Sequence, residues 1–356
     1  MFTDIDVIYI DATQHARINQ LALFLHENGL QIDSSIGEFV SLYRANKLIA
    51  CGGLDGNIIK CVAVDPSLRG EGILLRLITE LVYLAFEKGR RDLFVYTKPE
   101  NENLFHACGF TTLVRIPGVM IFMENSSTRL AHYTEQLALQ RKPGKKIGAI
   151  VMNANPCTLG HLHLIRHSAA QCDWLHLFLV NEDASAFPFP ERLALVQQAT
   201  AGIDKLTVHP GSQYVISRAT FPSYFLKERA VVQHCHAEID ITLFRQYLAP
   251  ALGITHRFVG SEPFCPLTAA YNRDMRHWLT TPSLPFARVE LVEIPRLTHQ
   301  GRAISASQVR ALFQQGDLCA IAPLVPPATL HYLQRRSNAA FTATARDGKL
   351  TSTGTL

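Results

Sequence analysis

The chain has 356 residues, 47% of them hydrophobic and 18% charged, with a formal net charge of +4 at neutral pH. That length exceeds the size at which one hydrophobic core usually stops growing, so two domains are expected, and the composition excludes a long disordered chain. The small charge comes from scattered Lys and Arg, which gives no footprint for nucleic acid. In chain order, Glu38–Tyr43, Lys47–Gly52 and Ile58–Val64 read as strands of an antiparallel meander, and Ile73–Lys88 reads as an amphipathic helix. Strand Leu93–Thr97 and a short helix, Glu102–Ala107, follow. The cationic Pro-Gly break at Arg141–Lys146 marks a domain boundary. Beyond it Ile147–Met152 reads as a buried strand, His161–Ala170 as a helix, Trp174–Val180 as a strand and Pro190–Ala201 as a helix. The alternation continues through Lys205–His209, Ala230–Gln233, Ile241–Leu248, Thr255–Val259, Leu267–Trp278 and Ala287–Ile294, which implies a parallel sheet with crossover helices. After Arg336 the composition turns to Ala, Thr, Ser and Gly, and a frayed tail over 337–356 is expected.

The eight cysteines form no C-x-x-C pair and read as buried, reduced thiols of a cytoplasmic protein. No basic stretch leads into an apolar run near Met1, and no run of about 18 apolar residues occurs, so neither export nor a membrane span is expected. His234-Cys235-His236 suggests a metal site at first sight. Strand alternation would send Cys235 to the face opposite the two histidines, so no metal ligands are assigned.

Two segments carry the chemistry. Asn153-Ala154-Asn155-Pro156-Cys157-Thr158-Leu159-Gly160-His161 leaves the carboxyl end of the first strand of the second half and enters a helix, where open α/β sheets bind ligands. Gly160 lets a phosphate approach the backbone, His161 can donate to a phosphate oxygen, and Thr158 adds a hydroxyl. Such preorganised donors stabilise a phosphoryl group under attack without a covalent intermediate. About 145 residues later, Ile304-Ser305-Ala306-Ser307-Gln308-Val309-Arg310 brings an N-cap serine, a hydroxyl in the first helical turn and a guanidinium one turn on, a set suited to a triphosphate. Cys157, beside the loop, reads as a small buried thiol, and Lys142, Lys145 and Lys146 as a solvated linker.

T-L-G-H and I-S-A-S-Q-V-R, in this order and spacing, resemble the paired signatures of the nucleotidylyltransferase superfamily. The longer runs N-A-N-P-C-T-L-G-H, A-T-F-P-S-Y-F-L-K (Ala219–Lys227) and G-S-E-P-F-C-P-L-T (Gly260–Thr268) resemble its acetate-activating citrate lyase ligase family, over roughly residues 1–335. The resemblance implies a GNAT-like mixed α/β domain over 1–135. A Rossmann-like, doubly wound nucleotidylyltransferase domain with a parallel sheet would follow over 146–336. It also implies ATP and Mg²⁺, acetate activated as acetyl-adenylate with release of pyrophosphate, and acetyl transfer to a thiol. That thiol would belong to the phosphoribosyl-dephospho-CoA group on the acyl carrier protein of citrate lyase. Carried over residue by residue, Thr158 and His161 would stabilise the α-phosphate, and Ser305, Ser307 and Arg310 would hold the β- and γ-phosphates. Asn153 and Asn155 would orient the loop or contact phosphate, Gly160 would line the ATP site, and Glu262 would contact the nucleoside.

In the first half, Arg69-Gly70-Glu71-Gly72-Ile73-Leu74 resembles the coenzyme-A loop of GNAT acyltransferases, so Arg69, Gly70 and Gly72 are candidates for gripping a CoA-like arm. The sequence departs from that pattern at Leu74, where Gly or Ala is usual, and at Phe105, where a proton-donating Tyr often stands. Two rival readings stay open: an adenylyltransferase acting on a phosphate-bearing small molecule, and an N-acetyltransferase with a nucleotide-sensing domain.

Overall fold

The computed structural model describes residues 4–181, 186–215, 238–261 and 266–347, with 266–271 and 339–347 as backbone only. Its described residues divide into two compact units, 4–136 with 238–243, and 137–215 with 244–347. The expected strand at Ala230–Gln233, the run Ala219–Lys227, His234–His236 and Glu262 lie outside the described residues.

The first unit is built on a seven-stranded sheet ordered β1-β2-β3-β4-β5-β7-β6. Its strands are β1 (Asp6–Asp11), β2 (Glu38–Arg44), β3 (Lys47–Asp55), β4 (Ile58–Val64), β5 (Phe94–Thr97), β6 (Thr111–Ile116) and β7 (Met120–Glu124). The first four run antiparallel, as the meander reading expects, and β4 and β5 are parallel. Alternation along β2 sends Val40 and Leu42 to one face and Phe39 and Tyr43 to the other. Helix α1 (His15–Glu27) covers the second face with Leu21, Phe24 and Leu25, while α2 (Ile73–Glu87) covers the first with Leu77, Ile78 and Leu81.

Two features open this sheet on one side. Cys61 and Val62 oppose the single residue Gly52, a β-bulge in which Cys61 takes φ 54°. Beyond it β4 bends away, and its register with β5 is limited to Ile58↔Phe94 and Ile59↔Val95. This is the GNAT-like architecture, with short α3 (Glu102–Ala107), the β6–β7 hairpin and α4 (Arg129–Ala138) completing the run. The sequence reading missed β1, α1, β6 and β7. The mostly exposed β1 lies at the edge of the sheet and shows no clean alternation of burial.

The second unit has a five-stranded, wholly parallel sheet ordered β10-β9-β8-β11-β12. The strands are β8 (Ile147–Met152), β9 (Trp174–Leu179), β10 (Leu206–His209), β11 (His256–Gly260) and β12 (Glu290–Ile294). Helices α5 (Leu159–Ala170) and α6 (Phe189–Thr200) make the crossovers on one side of the strand order. A π-helical stretch, Phe244–Leu248, leads into α7 (Ala249–Leu252), and α8 (Pro266–Thr280) joins β11 to β12. The direction of winding reverses between β8 and β11, which makes that crevice the topological switch point of a doubly wound sheet. Ile150, Leu175, Leu177, Leu195, Val196, Phe258 and Ile294 form its core.

After β12 the chain makes a hairpin of β13 (Thr298–His299) and β14 (Arg302–Ala303), then α9 (Ala306–Gln314), α10 (Leu318–Ile321) and α11 (Pro327–Asp347). Helix α11 runs through the first half of the stretch expected as a frayed tail. Before that stretch Leu333 is buried with Val309, Ile321 and Leu324, and Tyr332 donates to the Glu191 carboxylate of α6, so the helix is anchored where the apolar pattern fades. Among the described residues no helix is long and apolar enough to cross a membrane.

Gly148 of β8 faces a close-packed part of this core: a Cβ there would lie 2.7 Å from the Phe258 ring and 3.1 Å from Leu175 and from the Cys172 sulfur. Gly148→Val should therefore overpack the sheet and lower stability by about 1–3 kcal/mol, read as a drop in the denaturant midpoint with an unchanged slope.

Candidate active site

The loop after β8 is held from beneath by a cation that the sequence reading did not single out. Arg192 of α6 is fully buried, and its Nη1 donates to Asn153 O and Oδ1, both at 2.7 Å, and to Val180 O at 2.9 Å; its Nε donates to Phe187 O at 3.0 Å. An Arg three residues after the first residue of a helix, Phe189, has the pattern of a surface residue, so only the fold reveals this role. The Asn155 side chain is occupied as well, accepting from Phe187 N–H at 3.1 Å. The carbonyl oxygens of both asparagine side chains thus brace the loop.

The loop ends in Thr158, the N-cap of α5, which is 1% exposed. Its hydroxyl faces the His161 backbone N–H at 3.4 Å, and its own N–H donates to His161 Nδ1 at 3.0 Å, so the two residues form a reciprocal capping box. This binds the Thr158 hydroxyl to the helix start, where it orients His161. The helix begins two residues earlier than the sequence pattern suggests, because Leu159 and Gly160 form its first turn. Nδ1 can accept only while it carries no proton, so the neutral ring holds its hydrogen on Nε2. Burial first, and the charge of Arg296 second, push the His161 pKa down to about 4. His161 is thus a neutral donor at physiological pH, set in the first turn of a helix.

The second motif meets the first. Ser305 is the N-cap of α9, accepting from Gln308 N–H at 3.2 Å, and its hydroxyl lies 3.0 Å from that of Ser307. A Cβ on Gly160 would stand 3.0 Å from the carbonyl oxygen of Ile304, so the starts of α5 and α9 touch at backbone level. Arg310 Nη1 reaches back to Asn155 O at 2.6 Å, tying α9 to the loop after β8. Asn153, Asn155, Thr158, Gly160, His161, Ser305, Ser307 and Arg310 therefore belong to one corner of the second unit, at the carboxyl ends of its strands.

Two further side chains border this corner. His163 Nε2 lies 3.2 Å from Pro295 O, and Arg296 Nε donates to Ser261 O at 2.8 Å. Cys157 is fully buried, and burial pushes its thiol pKa up to about 12, which removes it as a nucleophile at neutral pH. Lys142 lies 4.9 Å from the centre of the Trp174 ring, and the Lys145 and Lys146 backbone N–H groups donate to Asp173, so the linker is docked rather than purely solvated. Among the described residues no cluster of His, Cys, Asp and Glu could hold a metal ion.

In the first unit, the wedge between β4 and β5 forms a cavity of about 620 Å³. Arg69, Gly70 and Gly72 line it, together with Leu74, Lys98 and Phe105. Gly70 and Gly72 take φ 86° and 77°, a left-handed backbone that carries the chain into α2. Phe105 is buried edge-on against Phe110, 6.0 Å between ring centres, and offers no proton.

The His161 assignment has a direct readout. Histidine NMR should find its Nε2–H tautomer and no protonation until the pH nears 4. Because the folded value lies below the ordinary 6.5, the unfolded chain binds the extra proton between those limits. Acidification through that window should therefore cost stability, while above it His161 contributes no pH dependence.

The family profile described as "Citrate lyase ligase C-terminal domain" matches residues 147–333. The "[Citrate [pro-3S]-lyase] ligase" of Escherichia coli (strain K12) is 59% identical over 325 residues, 91% of this chain and 92% of its own. The proteins of the same description from Klebsiella pneumoniae and Haemophilus influenzae are 51% and 48% identical, over 88% and 91% of this chain and 91% and 97% of their own. Among solved structures, Escherichia coli ElaA aligns over 34% of this chain and 99% of its own at 18% identity and a TM-score of 0.29, a likeness on which nothing here rests. With the two motif-bearing helix starts joined in one corner and identity of this extent along the chain, the protein is a ligase and belongs to the [citrate [pro-3S]-lyase] ligase family.

Proposed function

We propose that the second unit uses ATP to activate acetate and that the acetyl group then goes to a carrier thiol, which switches citrate lyase on. One acetate oxygen attacks the α-phosphorus, the bond to the β-phosphate oxygen breaks, and acetyl-adenylate and pyrophosphate result. The thiol of the phosphoribosyl-dephospho-CoA group on the acyl carrier protein of citrate lyase then attacks the acetyl carbon. AMP departs, and the thiol proton passes to solvent. The observation that carries this reading is the contact of Gly160 with the Ile304 carbonyl, which puts two helix starts beside each other. Both present N–H groups and a partial positive charge to an anion.

Each residue has a task in this scheme. The Nε2–H of His161 donates to the α-phosphate oxygen on which charge builds, and Thr158 holds the ring for that task. Ser305 and Ser307 hydroxyls, with the first N–H groups of α9, take the β- and γ-phosphates. Arg310 commits one N–H to Asn155 O and directs the others to the same oxygens. Mg²⁺ would arrive with the nucleotide and neutralise phosphate charge, while the hydroxyls, imidazole and guanidinium of this corner would meet the phosphate oxygens. Glu262 is kept as the nucleoside contact.

The cavity of the first unit, with Arg69, Gly70 and Gly72 at its glycine-rich lip, suits the CoA-like arm. Phe105 makes that role one of holding without transfer chemistry. The working division is 1–135 for the arm and 146–336 for adenylation, in a cytoplasmic enzyme.

Acetate-dependent exchange of labelled pyrophosphate into ATP tests the reading, with carrier acetylation and AMP release as the second stage; no exchange with acetate would end it. His161→Ala should lower exchange kcat about 10²–10³-fold, and Arg310→Ala should raise the KM for ATP about tenfold, both without loss of fold. Gly160→Ala should gain helix propensity, up to about 1 kcal/mol. It should nevertheless weaken ATP binding, because the added methyl meets a backbone carbonyl; unchanged affinity by calorimetry would remove the contact from the argument.

A further inference from the structure

A second apolar cluster, distinct in its buried members from the core of the parallel sheet, packs against both helix starts. Among the described residues its buried members all come from Ile304–Leu333 except Phe187, which stands before α6 and is 2% exposed. Ile304 carries the carbonyl that Gly160 approaches, Val309 precedes Arg310, and Leu159 of the first turn of α5 packs on the same cluster. The Phe187 ring meets Phe313 of α9 at 6.3 Å and Tyr332 of α11 at 6.0 Å between ring centres, and the Arg336 guanidinium stands 5.0 Å from its centre. Arg336 is itself held there: its Nη1 donates to the Tyr332 hydroxyl at 3.0 Å and lies 3.5 Å from the Glu191 carboxylate, to which Tyr332 donates. The backbone of Phe187 serves the loop after β8. Its N–H donates to Asn155 Oδ1 at 3.1 Å, and its carbonyl accepts from Arg192 Nε at 3.0 Å.

We propose that Phe187 is a positioning residue for the adenylation step, a joint that fixes the loop after β8 against α9 and α11. The inference rests on the adenylation reading of this corner. The Gly160 contact with Ile304 O and the Arg310 bond to Asn155 O already tie the loop to α9 at two points, and Phe187 adds a third. A buried aromatic ring is bulky and has few rotamers, so packing it against two helices fixes the backbone from which it hangs. The fixed N–H sets the Asn155 side chain. The fixed carbonyl sets Arg192, whose Nη1 in turn donates to Asn153 O and Oδ1. Packing on the carboxy-terminal helices is thereby passed to the loop that leads to Thr158 and His161. Phe187 meets no reacting atom in this scheme and acts through Asn155 and Arg192.

Phe187→Leu and Phe187→Met keep an apolar side chain and remove the ring. In acetate-dependent pyrophosphate exchange with the full chain, each should lower kcat about tenfold and raise the KM for ATP by a similar factor. Loss of folded protein would lower the apparent kcat alone, so the KM separates misplacement from instability. Thermal unfolding reports whether the fold persists, and the Met variant keeps the comparison readable if the Leu variant does not fold. In an Asn155→Ala background, where the Phe187 N–H has lost its acceptor, Phe187→Leu should cost distinctly less than in the parent, as residues acting through one contact do. Parent values of kcat and KM in the folded variants, or an equal loss with and without the Asn155 side chain, would overturn the proposal. A parent protein with no acetate-dependent exchange would remove the adenylation reading instead. ATP affinity by calorimetry would then decide the role of Phe187, and an affinity unchanged in both variants would end it.

Discussion

The close approach of Gly160 to the carbonyl of Ile304 is the constraint on which the candidate site depends. Two helices whose starts lie about 145 residues apart in the chain can share one anion only if their backbones come nearly into contact. Any side chain at position 160 would hold them apart. The closure is reinforced by Arg310, which reaches Asn155 O, and by the hairpin before α9, whose end is closed by the Ile304 N–H bond to Leu297 O at 3.0 Å. The site is thus a property of backbone spacing first and of side-chain chemistry second.

Polar groups around this corner are largely committed to shaping it. Thr158 and His161 satisfy one another, Asn155 accepts from Phe187, and Arg192 collects three carbonyl oxygens and the Asn153 side chain. A buried guanidinium is costly unless its donors are met, and here the acceptors are the turns that leave β8 and β9. The result is a rigid loop that presents few side chains of its own. Preorganisation of this kind is what phosphoryl chemistry asks of a protein, because the donors need not rearrange as charge develops.

The first unit solves a different problem with the same economy of means. A bulge at Cys61 and Val62 turns β4 away from β5 and leaves a wedge between parallel strands, while α2 closes over Gly52, where a Cβ would meet Leu81 at 2.8 Å. The cavity is therefore written into the strand geometry. Phe105, buried at its edge, offers no proton to that space.

The sequence alone determined the parallel sheet of the second unit, the N-cap at Ser305 and the family, because strand-helix alternation, cap residues and short motifs are local signals, while it set the start of α5 two residues late. Strand β8 and helix α3 were legible to the residue, since buried runs and helix signals bound them sharply. Edge strand β1 and helix α1 were not, because little of β1 is buried and no alternation marks it. The roles of Arg192 and Arg296 were hidden for a different reason. Their partners, Asn153 and Ser261, lie 39 and 35 residues away, so only the packing of separate strand ends turns two ordinary arginines into the frame of a site. Tertiary structure also decided that Thr158 turns inward to hold His161, since the reciprocal cap forms only once α5 has begun.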